Sequence, residues 1–194
     1  GAKAGQSLLD QVLSALEAAR SAGFDPSQGA LKLNAVIQKG RNDDQLIALA
    51  RLARDRGVEL RLIEYMDVGS RNGWSLAQVM PALEMVQRVA SHWPLDPVGR
   101  SSSSTTSRWR YRDGAGHLGV IASISAPFCG DCNRIRVTAD GQVFTCLFAS
   151  QGVDLRPYLR AGQPESQLRE RLSDLWTRRS DRFSEERRLR GDVD

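Results

Sequence analysis

Three cysteines are the residues of this chain best suited to chemistry, and all of them lie between residues 129 and 146. Cys129 and Cys132 form a Cys-x2-Cys pair, and Cys146 follows further along. A Cys-x2-Cys turn directs two sulfurs at one metal centre, and thiolates suit zinc and iron–sulfur centres. A disulfide framework favours an even number of cysteines in a secreted chain. The pattern therefore predicts a metal centre.

The spacing alone leaves three alternatives for these thiols: an iron–sulfur cluster, zinc, or structural thiols without a ligand. A structural zinc site usually has four protein ligands, and only His92 and His117 could supply the fourth. An iron–sulfur cluster on three cysteines would leave one iron open to a small molecule.

Two arginines follow the Cys-x2-Cys pair on a predicted strand. Arg134 and Arg136 are two residues apart, so their side chains share a face, which predicts a site for a phosphorylated ligand. The alternative is an exposed basic strand edge. A two-residue turn at Asp140-Gly141 would pair Cys146 with Ile135, opposite both arginines. A bulge or a slip of one residue would reverse that arrangement.

The rest of the chain must position this site. Helical periodicity predicts helices at 7–22, 43–56, 75–90 and 164–177. Alternation predicts strands at 30–37, 58–65, 109–111, 119–125, 134–139 and 142–148. The first two strands flank a helix, so they form a βαβ unit with parallel strands. In such folds ligands bind beyond the carboxyl ends of the strands.

Polar side chains on the first two strands are further candidates. Lys32 and Asn34 share one face of the first strand, and Arg61 lies on the second. Their alternatives are an exposed charge for Lys32 and an ion pair with Glu59 or Asp55 for Arg61. The polar tract at 101–107 predicts a linker or loop.

Composition and charge limit the class of protein. The chain has 194 residues, 41% of them hydrophobic, and a net charge of +4. No apolar run approaches the length of a membrane span, and the start lacks a signal-peptide core, so we expect a cytoplasmic protein with no membrane partner. The basic residues are dispersed and few aromatics lie among them, which indicates a solvated surface or a small anionic ligand and disfavours nucleic acid.

The residues around the cysteines resemble a known family. The run Pro127-Phe-Cys129-Gly-Asp-Cys132-Asn-Arg134-Ile-Arg136, continuing to Asp140-Gly141 and Cys146-Leu-Phe148, resembles the C-terminal region of the GTP 3′,8-cyclase family. These are radical S-adenosylmethionine enzymes of molybdenum cofactor biosynthesis. Shorter matches occur at 32–34, 40–44, 66–69, 72–74, 111–114, 154–156 and 181–185.

The resemblance implies an α/β fold, in which a partial TIM-type barrel at 1–98 precedes a linker at 99–107. An α+β extension at 108–180 would carry the cysteine hairpin, and 181–194 would form a flexible tail. The resemblance also implies the conversion of GTP to (8S)-3′,8-cyclo-7,8-dihydroguanosine 5′-triphosphate.

Roles for individual residues follow from the resemblance only. Cys129, Cys132 and Cys146 would hold a [4Fe–4S] cluster whose open iron binds guanine. The implied contacts are Arg134, Ile135 and Arg136 with GTP, Lys32 with its triphosphate, and Met66 with S-adenosylmethionine; without the resemblance, Met66 would be assigned to core packing. Asn34 and Arg61 are additional candidates, and no residue of the chain is assigned a catalytic role.

Two features depart from the family pattern. The chain has no Cys-x3-Cys-x2-Cys motif, which the family uses to cleave S-adenosylmethionine, and no Gly-Gly end. We therefore expect this chain to be inactive alone, and to self-associate or to pair with a separate N-terminal half. The competing hypotheses are a zinc-binding module that contacts nucleotides or nucleic acid, and a related radical enzyme with another substrate.

Overall fold

The computed structural model describes residues 7–68, 73–102, 104–160 and 162–187. Its helices are α1 (Leu8–Ser21), α2 (Leu46–Asp55), α3 (Ala82–Ala90), α4 (Arg156–Leu159), α5 (Glu165–Thr177) and α6 (Phe183–Glu186). Its strands are β1 (Lys32–Ile37), β2 (Glu59–Glu64), β3 (Leu95–Gly99), β4 (Ser107–Tyr111), β5 (His117–Ile121), β6 (Arg136–Val137), β7 (Gln142–Phe144) and β8 (Val153–Asp154). Residues 69 and 72 of the resemblance, residue 103 of the predicted linker and residues 188–194 of the predicted tail lie outside this description.

The larger sheet has the strand order β1-β2-β5-β4-β3. β1, β2 and β5 are parallel, whereas β4 and β3 are antiparallel to their neighbours. The predicted βαβ unit is confirmed, because α2 connects β1 to its parallel neighbour β2. The described residues thus form a mixed sheet with no closed barrel, which fits a partial α/β domain.

Apolar side chains of α2 and α3 cover one face of this sheet. Both helices are amphipathic, and their inner faces pack on alternate residues of the strands. Fully buried members of this core are Ile37, Leu46, Leu60, Leu62, Met80, Met85, Leu118 and Val120.

Local signals set where the helices begin. Ser7 caps α1 by a capping box, in which its hydroxyl accepts from the Asp10 amide at 3.1 Å. The predicted capping box of Ser75 and Gln78 is also present, but it caps a 3₁₀ turn instead of the long helix. Pro81 then occupies the N-cap of α3, because it cannot continue the preceding backbone hydrogen bonds.

The opposite face of the sheet is open and polar. Lys32 and Asn34 are exposed there, as the alternation predicts. Glu59 lies beside them, accepting from Arg61 Nε at 2.8 Å and from Arg108 Nη2 at 2.7 Å. Arg61 thus forms an ion pair with Glu59, one of the two partners named for it above.

The tract at 99–107 connects β3 to β4, so the strands on both of its sides belong to one sheet. The sequence analysis missed β3, which contains Pro97 and ends at Gly99, two residues that disfavour strands. β3 tolerates them because it is the edge strand and its register shifts between these two residues.

A smaller sheet in the order β6-β7-β8 carries the cysteine region. Val143 and Leu155 are buried beneath it. Beyond it, α5 confirms the predicted helix at 164–177, and α6 lies within the segment predicted to be a tail. No helix in the described ranges is both long and apolar enough to cross a membrane.

Candidate functional site

A pocket beyond the carboxyl ends of β2 and β5 brings several of the predicted site residues together. Met66 follows β2 and Ser123 follows β5, and both line this pocket, as expected for parallel strands. The lining also includes the three cysteines, the two arginines of the predicted site, three of their sequence neighbours and three residues from the last part of the chain. These are Cys129, Cys132, Cys146, Arg134, Arg136, Phe128, Thr145, Phe148, Arg179, Asp181 and Ser184.

The register of the hairpin differs by one residue from the register that a two-residue turn predicts. Arg136 pairs with Phe144, so continuation of this register would set Cys146 opposite Arg134. The turn is one residue longer than Asp140-Gly141 predicted, because the Thr138 amide donates to the Gln142 carbonyl at 2.9 Å. This is the one-residue slip given above as the alternative, and its continuation beyond the paired residues would turn Cys146 to the side of the arginines.

The longer turn has a local cause. Gly141 adopts a positive φ of 82°, which glycine tolerates better than other residues. The Thr138 hydroxyl accepts from the Gln142 amide at 3.0 Å, and it also donates to Asp140. These side-chain bonds close a three-residue loop, a length that is common when a left-handed residue ends the turn.

The Cys-x2-Cys segment is a 3₁₀ turn that other parts of the chain hold in place. The Arg179 guanidinium donates to the Cys132 carbonyl at 2.5 Å and to the Cys129 carbonyl at 3.4 Å. The Gly130 amide donates to Glu185 of α6 at 3.3 Å. Arg100, in the tract predicted to be a linker, pairs with Asp131.

The three thiols are free and half-buried. Burial raises the pKa of Cys132, but hydrogen bonds from the Arg134 amide and side chain, with the charges of Arg134 and Arg179, outweigh it and hold this pKa below its usual value. The Arg134 Nε lies 3.3 Å from the Cys132 sulfur. Because the thiolate is the metal-binding form, the arginines favour the state that a metal centre requires.

The pocket offers three thiol donors to a metal centre, and thiolates suit iron–sulfur clusters as well as zinc. In the described ranges, no group of three or more His, Cys, Asp or Glu side chains is placed to hold one metal ion. Cysteines that ligate a [4Fe–4S] cluster bind separate irons, so their sulfurs need not converge on one point. Neither His92 nor His117, the two histidines considered as a fourth zinc ligand, lines the pocket.

Several predicted residues lie away from the pocket. Lys32 and Asn34 are at the start of β1, and Lys32 Nζ donates to the Gly29 carbonyl at 2.5 Å. Arg61 belongs to the ion-pair cluster on the open face. Ile135 lies between the two arginines but is itself 43% exposed and does not line the pocket.

Sequence reasoning missed the contribution of the C-terminal segment. Arg187 is buried and pairs with Asp67 at 2.5 Å, just after the Met66 position. Phe183 stacks on Phe148 with ring centres 4.6 Å apart. These contacts fall in the predicted tail at 181–194. The match at 181–185 was the only sequence signal for this segment.

A buried carboxylate connects the packed sheet to the pocket. Glu64, the last residue of β2, is fully buried and accepts from the amides of Ala82 at 2.7 Å, Ile124 at 2.6 Å and Ser125 at 2.9 Å. The Ser125 hydroxyl also donates to it. Glu64 therefore ties α3 to the loop that contains the pocket residue Ser123.

Comparisons with known proteins find relatives along almost the whole chain. A family model described as Molybdenum Cofactor Synthesis C matches residues 58–185. The chain is 86% identical to a GTP 3′,8-cyclase of Synechococcus sp. strain CC9902, over 99% of this chain and 56% of that protein. It is 51% identical to a GTP 3′,8-cyclase of Acidothermus cellulolyticus, over 95% of this chain and 51% of that protein. The chain thus spans about half the length of these curated relatives.

Proposed function

Since the chain belongs to the GTP 3′,8-cyclase family, we propose that it supplies the part of such an enzyme that binds a [4Fe–4S] cluster and GTP. Cys129, Cys132 and Cys146 are its cluster ligands. The observation that carries the proposal is that all three free thiols line one pocket together with Arg134 and Arg136.

The bound cluster would supply an iron without a cysteine ligand, open to the guanine of GTP. The protein's own contribution is positional and electrostatic. Arg136 is half-buried in the pocket, and within the described ranges its guanidinium has no hydrogen-bond or ion-pair partner. An unpaired guanidinium binds phosphate oxygens in a fixed fork, so Arg136 is the principal contact of the nucleotide, with Arg134 and Ile135 beside it.

The open face of the sheet would receive the rest of the nucleotide. Lys32 and Arg61 lie on this face together with Asn34, nearer the amino ends of the strands than the pocket is. A triphosphate that extends from the pocket along β1 meets these positive charges. Met66 lines the pocket at the edge of this face, where it would contact S-adenosylmethionine.

The whole reaction requires a second cluster. All three cysteines of the chain are assigned above, so none remains to hold the cluster that cleaves S-adenosylmethionine. The chain alone is therefore inactive, and together with a polypeptide that carries the Cys-x3-Cys-x2-Cys motif it converts GTP to the cyclic triphosphate of molybdenum cofactor biosynthesis.

Exposed apolar residues support association of this kind. Leu8, Leu9 and Val12 on α1 are 78%, 62% and 55% exposed. In the part of the chain that the structure describes, β1 pairs with β2 only, which leaves an edge for another strand. We expect self-association of the isolated chain in sedimentation experiments; a monodisperse monomer that melts cooperatively would contradict this.

GTP binding to the cluster-loaded chain tests the proposal. Arg136→Gln should weaken GTP binding about 10- to 100-fold in anaerobic calorimetry, because a charged hydrogen bond to phosphate is lost. Arg110→Gln is the matched control, since Arg110 is an exposed arginine on β4. It should change the affinity less than about 2-fold. Equal affinities of both variants and the parent chain would refute the assignment of Arg136.

A further inference from the structure

A short segment after α5 contacts both parts of the cysteine set. Arg179 donates to the carbonyls of Cys129 and Cys132, at the two ends of the Cys-x2-Cys turn. Two residues later, Asp181 accepts from the hydroxyl of Thr145, the neighbour of Cys146. Residues 179–181 thus connect the turn to the strand end that carries the third cysteine.

The hairpin itself does not reach the cysteines. The ladder between β6 and β7 consists of the pairs Arg136–Phe144 and Val137–Val143, and it ends before Cys132 and Cys146. The 3₁₀ turn at Cys129–Asp131 has no side-chain cap. The distance between the turn and Cys146 must therefore be set by contacts from elsewhere in the chain.

Arg179 is well placed for this task. Its guanidinium stacks on the Trp176 ring at 4.5 Å, and its amide donates to the Trp176 carbonyl at 3.3 Å. The end of α5 therefore fixes the side chain before any ligand binds. A planar guanidinium can donate to two carbonyls at once, which a lysine ammonium does less well.

We propose that Arg179 and Asp181 are positioning residues that hold the Cys129–Cys132 turn and Cys146 as one ligand set. The inference rests on the proposed function for the nature of the ligand, an iron–sulfur cluster. It assigns Arg179 a second effect, because a cation beside the ligands favours the more negative, reduced cluster and raises its reduction potential.

Four variants separate the geometry from the charge. Arg179→Gln removes the guanidinium that contacts the two carbonyls and also its charge. Arg179→Lys keeps the charge without the planar guanidinium, and Asp181→Asn weakens the bond to Thr145. The matched control is Arg178→Gln, because the neighbouring Arg178 is 81% exposed and pairs with Asp174 at 2.6 Å. Each protein is loaded with cluster without oxygen. The rate of iron loss to a chelator and the reduction potential are then measured.

Arg179→Gln should lose iron about 10-fold faster than the parent chain and show a lower potential, in the range found for residues that orient metal ligands. Arg179→Lys should also lose iron faster than the parent chain, but its reduction potential should stay close to that of the parent chain. Asp181→Asn should lose iron moderately faster, and Arg178→Gln should match the parent in both measurements. Equal iron loss and equal potential in Arg179→Gln and Arg178→Gln would overturn the proposal.

A measurement without metal separates this inference from the proposed function. In the metal-free chain, amide hydrogen exchange over residues 129–146 should be faster in Arg179→Gln than in Arg178→Gln. If the parent takes up no cluster while this difference is present, the cluster assignment fails and the positioning role stands. If the cluster binds and exchange is the same in both variants, the positioning role fails.

Discussion

The large sheet and the cysteine region are stabilised in different ways. Apolar burial stabilises the sheet, where α2 and α3 pack on β2 and β5. In the cysteine region, Val143 and Leu155 are the buried apolar side chains among the described residues beyond Ala122. There the contacts are mainly directional, from arginines such as Arg179 to backbone carbonyls.

This difference shows how the fold separates stability from binding. Apolar burial is non-directional and supplies most of the stability of a domain. Hydrogen bonds and ion pairs place individual atoms, but each contributes little net free energy. A region held by such contacts opens more readily than a packed core, which suits a site that must accept a ligand.

The largest expected effect on stability lies in the packed sheet. Leu62→Ala should lower the free energy of unfolding by about 2–5 kcal/mol, because it leaves a cavity at a fully buried position. Leu159→Ala is the control on α4, where the leucine is 55% exposed, and it should cost less than about 0.5 kcal/mol. Urea unfolding followed by circular dichroism measures both. A similar loss in the two variants would contradict the contrast between the regions.

A smaller loss of folding stability is expected where the two regions meet. Glu64→Gln should cost about 1–3 kcal/mol, because a buried amide group replaces an oxygen that accepts backbone hydrogen bonds. Amide exchange around Ser125 should also rise. Glu165→Gln, at an exposed position of α5, serves as the control. A Glu64→Gln protein with parent stability and parent exchange would show that Glu64 does not connect the sheet to the pocket.

The smallest effect is a pH dependence on the open face. Burial raises the pKa of Glu59, but Arg61 and Arg108 outweigh it and hold this pKa below its ordinary value of 4.5. The ionised carboxylate therefore stabilises the fold above about pH 4.5, and this contribution is lost as the pH falls through the lower folded-state pKa.

Glu59→Gln should cost roughly 1 kcal/mol or less at pH 7, since both arginine partners of the buried Glu59 are partly exposed to solvent, which screens the interaction. The difference between variant and parent should shrink towards pH 3, when both are followed by urea unfolding across this range. A difference that stays constant with pH would show that Glu59 contributes through packing and not through its charge.

The sequence predicted the elements whose signals are local. Periodicity predicted α2 and β2, and alternation placed Lys32 and Asn34 on one face. The Cys-x2-Cys spacing and the nearby third cysteine predicted one metal centre, and the structure gathers Cys129, Cys132 and Cys146 in one pocket.

Features that depend on distant or competing contacts were harder to predict. β3 was missed because Pro97 and Gly99 disguise an edge strand. The hairpin slip depends on the Thr138 side chain, which competes with the shorter turn that Asp140-Gly141 favours. The dispersed basic residues give no signal that separates Arg179 from a solvated arginine, because its partners are backbone carbonyls far away in sequence.

Iron and acid-labile sulfide content, measured with an absorption spectrum on protein purified without oxygen, tests the central claim most directly. We expect about four irons and four sulfides per chain, and their loss in Cys132→Ala, with the far-UV circular dichroism of the sheet retained. Stoichiometric zinc in protein never exposed to air, after anaerobic reconstitution of a cluster has failed, would contradict the account.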